Sequence, residues 1–155
     1  MSITALDHDT IRLERSYPHP PSSVFDAYAD VDRRAQWSAP SDDEDVVFEA
    51  HDFRVGGVDE FRCGLKGQLH FVGTTRYEHL VEDELIVYTE RLSTTDGTLQ
   101  AMSLVTWSIA PDGTGSRLTI VDQVTSVDGE GPIEGSRAGY AAMLDQLATY
   151  LDRRS

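Results

Sequence analysis

The chain is poor in cysteine, in basic residues and in long apolar runs, and each shortage excludes something. A single cysteine, Cys63, cannot build an internal disulfide framework. Lys and Arg total 13 against 27 Asp and Glu, a net charge of -14. Such a charge opposes approach to phosphate backbones and anionic lipid surfaces, so nucleic acid and membrane partners are not expected. No stretch approaches the roughly 20 apolar residues needed to span a bilayer. Met1 to Thr10 lack the basic start and apolar run of a signal peptide, which makes a cytoplasmic protein the expectation. Pro/Gly/Ser-rich linkers and internal repeats are missing as well. A chain of 155 residues, 39% of them apolar, therefore reads as one domain over residues 1–155 with one sizeable core.

Familiar catalytic and metal motifs are also missing. The histidines His8, His19, His51, His70 and His79 show no HExxH or Cys/His zinc spacing. Asp42, Asp43, Glu44 and Asp45 lack the spacing and glycine of an EF-hand and read as a solvated loop. No GxSxG elbow occurs, and the turns at Gly56-Gly57 and Gly113 to Gly115 lack the lysine and strand-to-helix context of a phosphate cradle. Neither a metal nor a cofactor is expected.

What is present is strand periodicity. Thr10 to Tyr17 sets Ile11 and Leu13 against Arg12 and Glu14, the pattern of a half-buried strand. Pro18, Pro20 and Pro21 end it, and Pro21 suits the first turn of a helix carrying Val24, Phe25 and Tyr28. Asp30 is a candidate N-cap for a second short helix from Val31 to Trp37, with Ala35 and Trp37 turned to the core. Six more strands follow. Val46 to Phe53 and Val58 to Gly64 are expected to meet in a tight turn at Gly56-Gly57, and Gln68 to Leu80, Leu85 to Leu92, Leu99 to Ile109 and Arg117 to Thr125 come after them. In the third of these six, Leu69, Phe71, Thr75 and Tyr77 form the dry set and His70, Arg76 and Glu78 the wet one. Ile133, Arg137, Tyr140, Leu144, Leu147 and Leu151 recur at steps of four and three, one stripe of a closing helix of about five turns. The fold class is α+β: a curved antiparallel sheet of seven strands with two short helices and a long C-terminal helix.

Several segments together carry a resemblance. His51-Asp52-Phe53-Arg54-Val55-Gly56-Gly57-Val58-Asp59-Glu60-Phe61 resembles the D-x-R-x-G-G signature of the family related to the C-terminal domain of the activator of Hsp90 ATPase. Tyr17-Pro18-His19-Pro20-Pro21-Ser22-Ser23-Val24-Phe25 resembles that family's proline-led opening, and Ala35-Gln36-Trp37 the end of its second helix. The resemblance runs from about Ile11 to Leu151 and implies the helix-grip fold of the START and Bet v 1-like superfamily. Read locally, the signature is a turn: two glycines permit a reversal, and Arg54 ties back to Asp52.

A sheet gripping a helix leaves room for a small apolar ligand between them. Aromatic candidates for its wall are Trp37, Phe61, Phe71, Tyr77, Tyr88 and Tyr140. Softer candidates are Cys63, Met102, Met143 and Leu144, and any of the ten also suits plain core. Asp122 interrupts the apolar alternation Leu118, Ile120, Asp122, Val124. Facing inward, it would be a desolvated carboxyl fit for acid-base work; facing outward, the placement expected here, it is a surface charge. Glu90 and His70 share that ambiguity, and Tyr77 completes the set of catalytic candidates. Three functions follow as expectations. The first is a non-catalytic binding protein for an apolar small molecule, marked by few titratable groups in its pocket. The second is a cyclase-like or hydrolase-like enzyme using Asp122, His70 or Tyr77. The third is a protein-interaction module, with a chaperone partner as the resemblance suggests and pairing of sheet edges as a route to a homodimer.

Overall fold

A computed structural model describes residues 6–154 of the chain. Seven strands, β1 (Asp7–Tyr17), β2 (Glu44–Ala50), β3 (Val58–Leu65), β4 (Gln68–Val81), β5 (Leu85–Thr94), β6 (Leu99–Asp112) and β7 (Gly115–Ser126), form one antiparallel sheet in the order β1-β7-β6-β5-β4-β3-β2. Helices α1 (Pro21–Ala29) and α2 (Val31–Arg34) lie between β1 and β2, and α3 (Gly131–Arg154) closes the chain. The open sheet holding a long C-terminal helix is the helix-grip arrangement. Strand β1 returns to pair with β7, so only β1 and β2 are left as sheet edges.

The predicted elements all occur, with local differences that have physical causes. Asp30 caps α2 as expected, accepting from the Asp32 and Arg33 backbone N–H groups at 2.9 and 3.3 Å. The helix stops at Arg34 rather than Trp37, and Ala35 is exposed. Trp37 takes the core position instead, its indole N–H donating to the Ala27 carbonyl at 3.1 Å. The Gly56-Gly57 pair does not close a tight hairpin, because β2 already ends at Ala50. It docks the intervening segment on β4: Gly56 N–H donates to the Tyr77 carbonyl at 2.8 Å, and Tyr77 N–H to the Gly57 carbonyl at 3.0 Å. Gly56 has φ +82°, and a Cβ on Gly57 would run into the Asp52 carbonyl oxygen, so both positions require glycine. Arg54 Nε donates to both Asp52 carboxyl oxygens at 3.0 and 2.8 Å, as the local reading of the signature anticipated.

The core sits between the inner face of the sheet and the helices. Trp37, Trp107, Tyr77, Ile86, Ile120, Leu144 and Leu147 are almost fully buried there, each large apolar side chain contributing roughly 1.5–3 kcal/mol. Helix α3 buries Leu144, Leu147, Tyr150 and Leu151 in its second half and only Ile133 in its first. Two hydrogen bonds fix that second half: Tyr17 Oη donates to the Leu144 carbonyl at 3.0 Å, and Gln146 Nε2 to the Ala39 carbonyl at 2.9 Å. Arg137, on the predicted apolar stripe, instead pairs with Asp9 of β1 at 2.7 Å. No helix among the described residues is long and apolar enough to cross a membrane.

Candidate functional site

The first half of α3 does not fill the space over the sheet. Gly131, Gly135 and Gly139 recur every four residues, so one face of its opening turns presents backbone in place of side chains. Beneath them lies a cavity of about 550 Å³, walled by Phe48, Phe61, Phe71 and Leu92 from the sheet and by Tyr140 and Met143 from α3. Gly73 contributes indirectly: a Cβ there would collide with the Phe61 ring, so the glycine lets that ring lie flat over β4.

Two sets of polar groups lie in and behind this wall. The first is organised by Asp59, 1% exposed, on β3. Its Oδ2 accepts from Arg34 Nη2 at 2.8 Å and from the Tyr77 hydroxyl. Its Oδ1 lies 2.8 Å from His51 Nδ1 and accepts the Asp52 backbone N–H at 3.1 Å. Tyr77 Oη in turn accepts from Arg34 Nη1 at 2.9 Å and lies 3.2 Å from Tyr28 Oη. The Arg34 guanidinium is held between the faces of Tyr28 and Phe48, 4.4 and 4.5 Å from the ring centroids. Burial alone would raise the Asp59 carboxyl, yet the Tyr77 hydrogen bond and the Arg34 charge outweigh it and hold Asp59 below the ordinary aspartate value.

The second set is a row across the inner face of the sheet. Asp59 stands opposite Thr75, Thr75 opposite Glu90, and Glu90 opposite Ser103, so β3 to β6 each place a polar side chain in register. Thr75 Oγ1 donates to Glu90 Oε2 at 3.1 Å. Asp122 occupies the neighbouring row, opposite Val105, at 2% exposure. Among the described residues its Oδ1 has no hydrogen-bond partner. Burial and then the nearby charge of Asp122 push Glu90 up to about 7, against the opposing Thr75 hydrogen bond and Arg34 charge. Burial pushes Asp122 up to about 6, the Ser103 hydrogen bond acting the other way. Tyr88 and Tyr140, whose hydroxyls interact, are both raised well above the ordinary tyrosine value by burial.

The ten predicted wall residues divide. Phe61, Cys63, Phe71, Tyr88, Tyr140 and Met143 line the cavity. Trp37, Tyr77 and Leu144 are packed into the core behind it. Met102 is 49% exposed on the outer face of β6, because Val105, Trp107 and Ile109 fix the inward set of that strand at odd positions. Of the catalytic candidates, His70 is exposed on the wet face of β4, and Tyr77 is committed to Asp59 and Arg34. Asp122 corrects the outward expectation: it shares the buried face of Leu118, Ile120 and Val124. Cys63 is a thiol pushed up to about 11, first by burial and then by Glu90 and Glu44, and so is poorly suited to act as a nucleophile. No group of acidic, His or Cys side chains able to hold a metal ion occurs among the described residues.

Over residues 18–152 the sequence matches the family described as Activator of Hsp90 ATPase homolog 1-like protein. The chain belongs to this family. Among solved structures, the Mll3558 protein from Rhizobium loti is 31% identical, with a TM-score of 0.82 over 94% of this chain and 98% of that one. Protein CV1439 from Chromobacterium violaceum is also 31% identical, with a TM-score of 0.80 over 92% and 96% of the two chains. A protein from Rhizobium leguminosarum, 24% identical, shares the fold at a TM-score of 0.85 over 98% and 99%. None of the curated proteins compared with the chain matches it. In this family member the D-x-R-x-G-G segment supports the site without lining it, by anchoring Tyr77 and donating a backbone N–H to Asp59.

Sequence reasoning passed over Arg34, Asp59 and the glycine face of α3. Arg33 and Arg34 look alike as the basic end of a short helix, and only the fold buries one of them. Asp59 and Glu90 carry a signal of the same kind as Asp122, a carboxylate at a position whose strand neighbours two residues away are apolar: Phe61 in one case, Tyr88 and Leu92 in the other. The four-residue recurrence of glycine in an otherwise helical segment was the readable sign of a gap above the sheet.

Proposed function

We propose that the protein binds an apolar small molecule in the cavity between the sheet and the first half of α3. The observation that carries this reading is the cavity itself: its volume of about 550 Å³ falls within the range of small-molecule sites, and its wall combines seven aromatic side chains with fixed polar groups such as Asp59, Thr75 and Glu90. A docking face for a protein partner has less support. The exposed Met102 and Leu104 on β6 are flanked across the ladder by Arg91, Thr125, Thr89 and Gln123, which breaks up an apolar patch on that face of β6.

The test is uptake of a neutral apolar fluorophore, N-phenyl-1-naphthylamine, by the wild type and by a variant carrying Gly135→Leu and Gly139→Leu. Stoichiometric uptake that the filled variant loses while keeping its circular dichroism spectrum supports the reading. Equal uptake by both proteins, or none by the wild type, ends it.

A second reading, acid-base catalysis on the bound molecule, is favoured by one observation. Glu90 lines the cavity with its carboxyl pushed up to about 7, and a group that titrates near neutrality can both accept and return a proton. This also departs from the expectation that a purely binding pocket would hold few titratable groups. A Glu90→Gln enzyme that keeps full turnover on any substrate found would remove this reading and leave the first intact.

A further inference from the structure

We infer that the cavity selects ligands that join an apolar or aromatic body to a protonated amine, with Glu90 as the group that receives the amine. The inference rests on the binding role proposed above and narrows it to a ligand class.

The placement of charge carries it. Glu90 lines the cavity, and among the described residues its one hydrogen bond given by a side chain comes from the neutral Thr75 hydroxyl. Asp122 lies beside it, 2% exposed, with Oδ1 unpartnered among the described residues. Its charge acts on both Glu90 and Tyr140. Arg34 is the only cation among the described residues that line the cavity. Its charge is committed to Asp59, 2.8 Å away, so it is not free to receive an anion. The more exposed lining residues Glu44, Asp45 and Asp128 add three acidic groups and no basic one. A carboxylate ligand would therefore meet charges of its own sign at the opening and again in the interior. An ammonium would find a counter-charge at both places. The faces of Phe61, Phe71, Tyr88 and Trp107 in the same wall suit it as well, because the face of an aromatic ring carries partial negative charge. Arg34 acts on Glu90 without forming an ion pair with it, being paired with Asp59, so an ammonium bound next to Glu90 would supply a direct ion-pair partner that it lacks among the described residues.

The experiment displaces N-phenyl-1-naphthylamine at pH 8 with three matched compounds: 4-phenylbutylamine, 4-phenylbutanol and 4-phenylbutyrate. The amine is expected to displace the fluorophore at least tenfold more effectively than the butyrate, with the alcohol between them. In Glu90→Gln the ratio of amine to alcohol affinity should fall at least fivefold. Asp122→Asn, which removes the neighbouring charge, should lower the same ratio by a smaller factor and serves if the first variant folds poorly. Butyrate binding as well as the amine, or an amine advantage unchanged in both variants, overturns the inference while leaving apolar binding in place. Failure of the wild type to take up the fluorophore or any of the three compounds overturns the binding role itself, and the inference with it.

Discussion

Asp59 and Glu90 stand in one row of one sheet, two strands apart with Thr75 between them, and the fold treats them in opposite ways. Asp59 is surrounded by donors: Arg34, Tyr77 and a backbone N–H converge on it, with His51 Nδ1 2.8 Å away, and its carboxyl is held below the ordinary aspartate value. Glu90 is desolvated and sits near a second carboxyl, and the one Thr75 hydroxyl it receives among the described residues does not offset them, so its ionised form is disfavoured. The difference teaches that neighbours decide whether burial prevails: donors and a cation overcome it at Asp59, whereas at Glu90 burial, reinforced by Asp122, wins.

Removing the tie should have the largest effect. Asp59→Ala leaves the Arg34 guanidinium buried without its partner and should cost about 3–5 kcal/mol in urea unfolding. A loss below about 1 kcal/mol would show that the two carboxylates differ less than their surroundings indicate.

Changing Glu90 should act in the other direction. Because burial raises its carboxyl from 4.5 to about 7, the folded state binds more protons than the unfolded chain between those values. Stability from this group is therefore complete below pH 4.5 and is lost as pH rises towards 7. Asp122, raised from 3.8 to about 6, adds to the same trend. Glu90→Gln should accordingly be more stable than the wild type at pH 8, by up to about 3 kcal/mol. The gap should close as the pH falls to 4.5, and a pH series of urea titrations on both proteins checks this.

Tyr77→Phe sharpens the comparison from the Asp59 side. It removes the hydroxyl that donates to Asp59 and accepts from Arg34, with an expected loss of about 1–3 kcal/mol. It should also move the Asp59 carboxyl upward, towards the behaviour of Glu90, in a carboxyl-detected NMR titration. The smallest effect is expected at Gly135→Ala. A Cβ there meets nothing within 4 Å, so the change should stabilise α3 by about 0.4–1 kcal/mol. Destabilisation would mean that the cavity roof is more crowded than the structure describes.

Much of the architecture was legible. Alternation, apolar runs and turn residues assigned all seven strands, and the Asp30 cap and the four-and-three spacing assigned α2 and α3, because these are local properties of the chain. The site was legible only in part. Phe61, Cys63, Phe71 and Tyr88 of the sheet and Tyr140 and Met143 of α3 line the cavity, whereas Met102 lies on the outer face because one step along a strand reverses it. Trp37, Tyr77 and Leu144 point inward too, but inward means wall or core depending on what packs above them.

The sequence by itself determined the order of elements, the family and the acidic balance, since each is written in neighbouring residues or in composition. Only the tertiary structure decided that Arg34 pairs with Asp59, that Glu90 and Asp122 lie near each other, and that the glycines of α3 leave a space. Those outcomes join residues far apart in the chain. Their energies depend on distance and on the exclusion of water, neither of which exists until the sheet has closed on the helix.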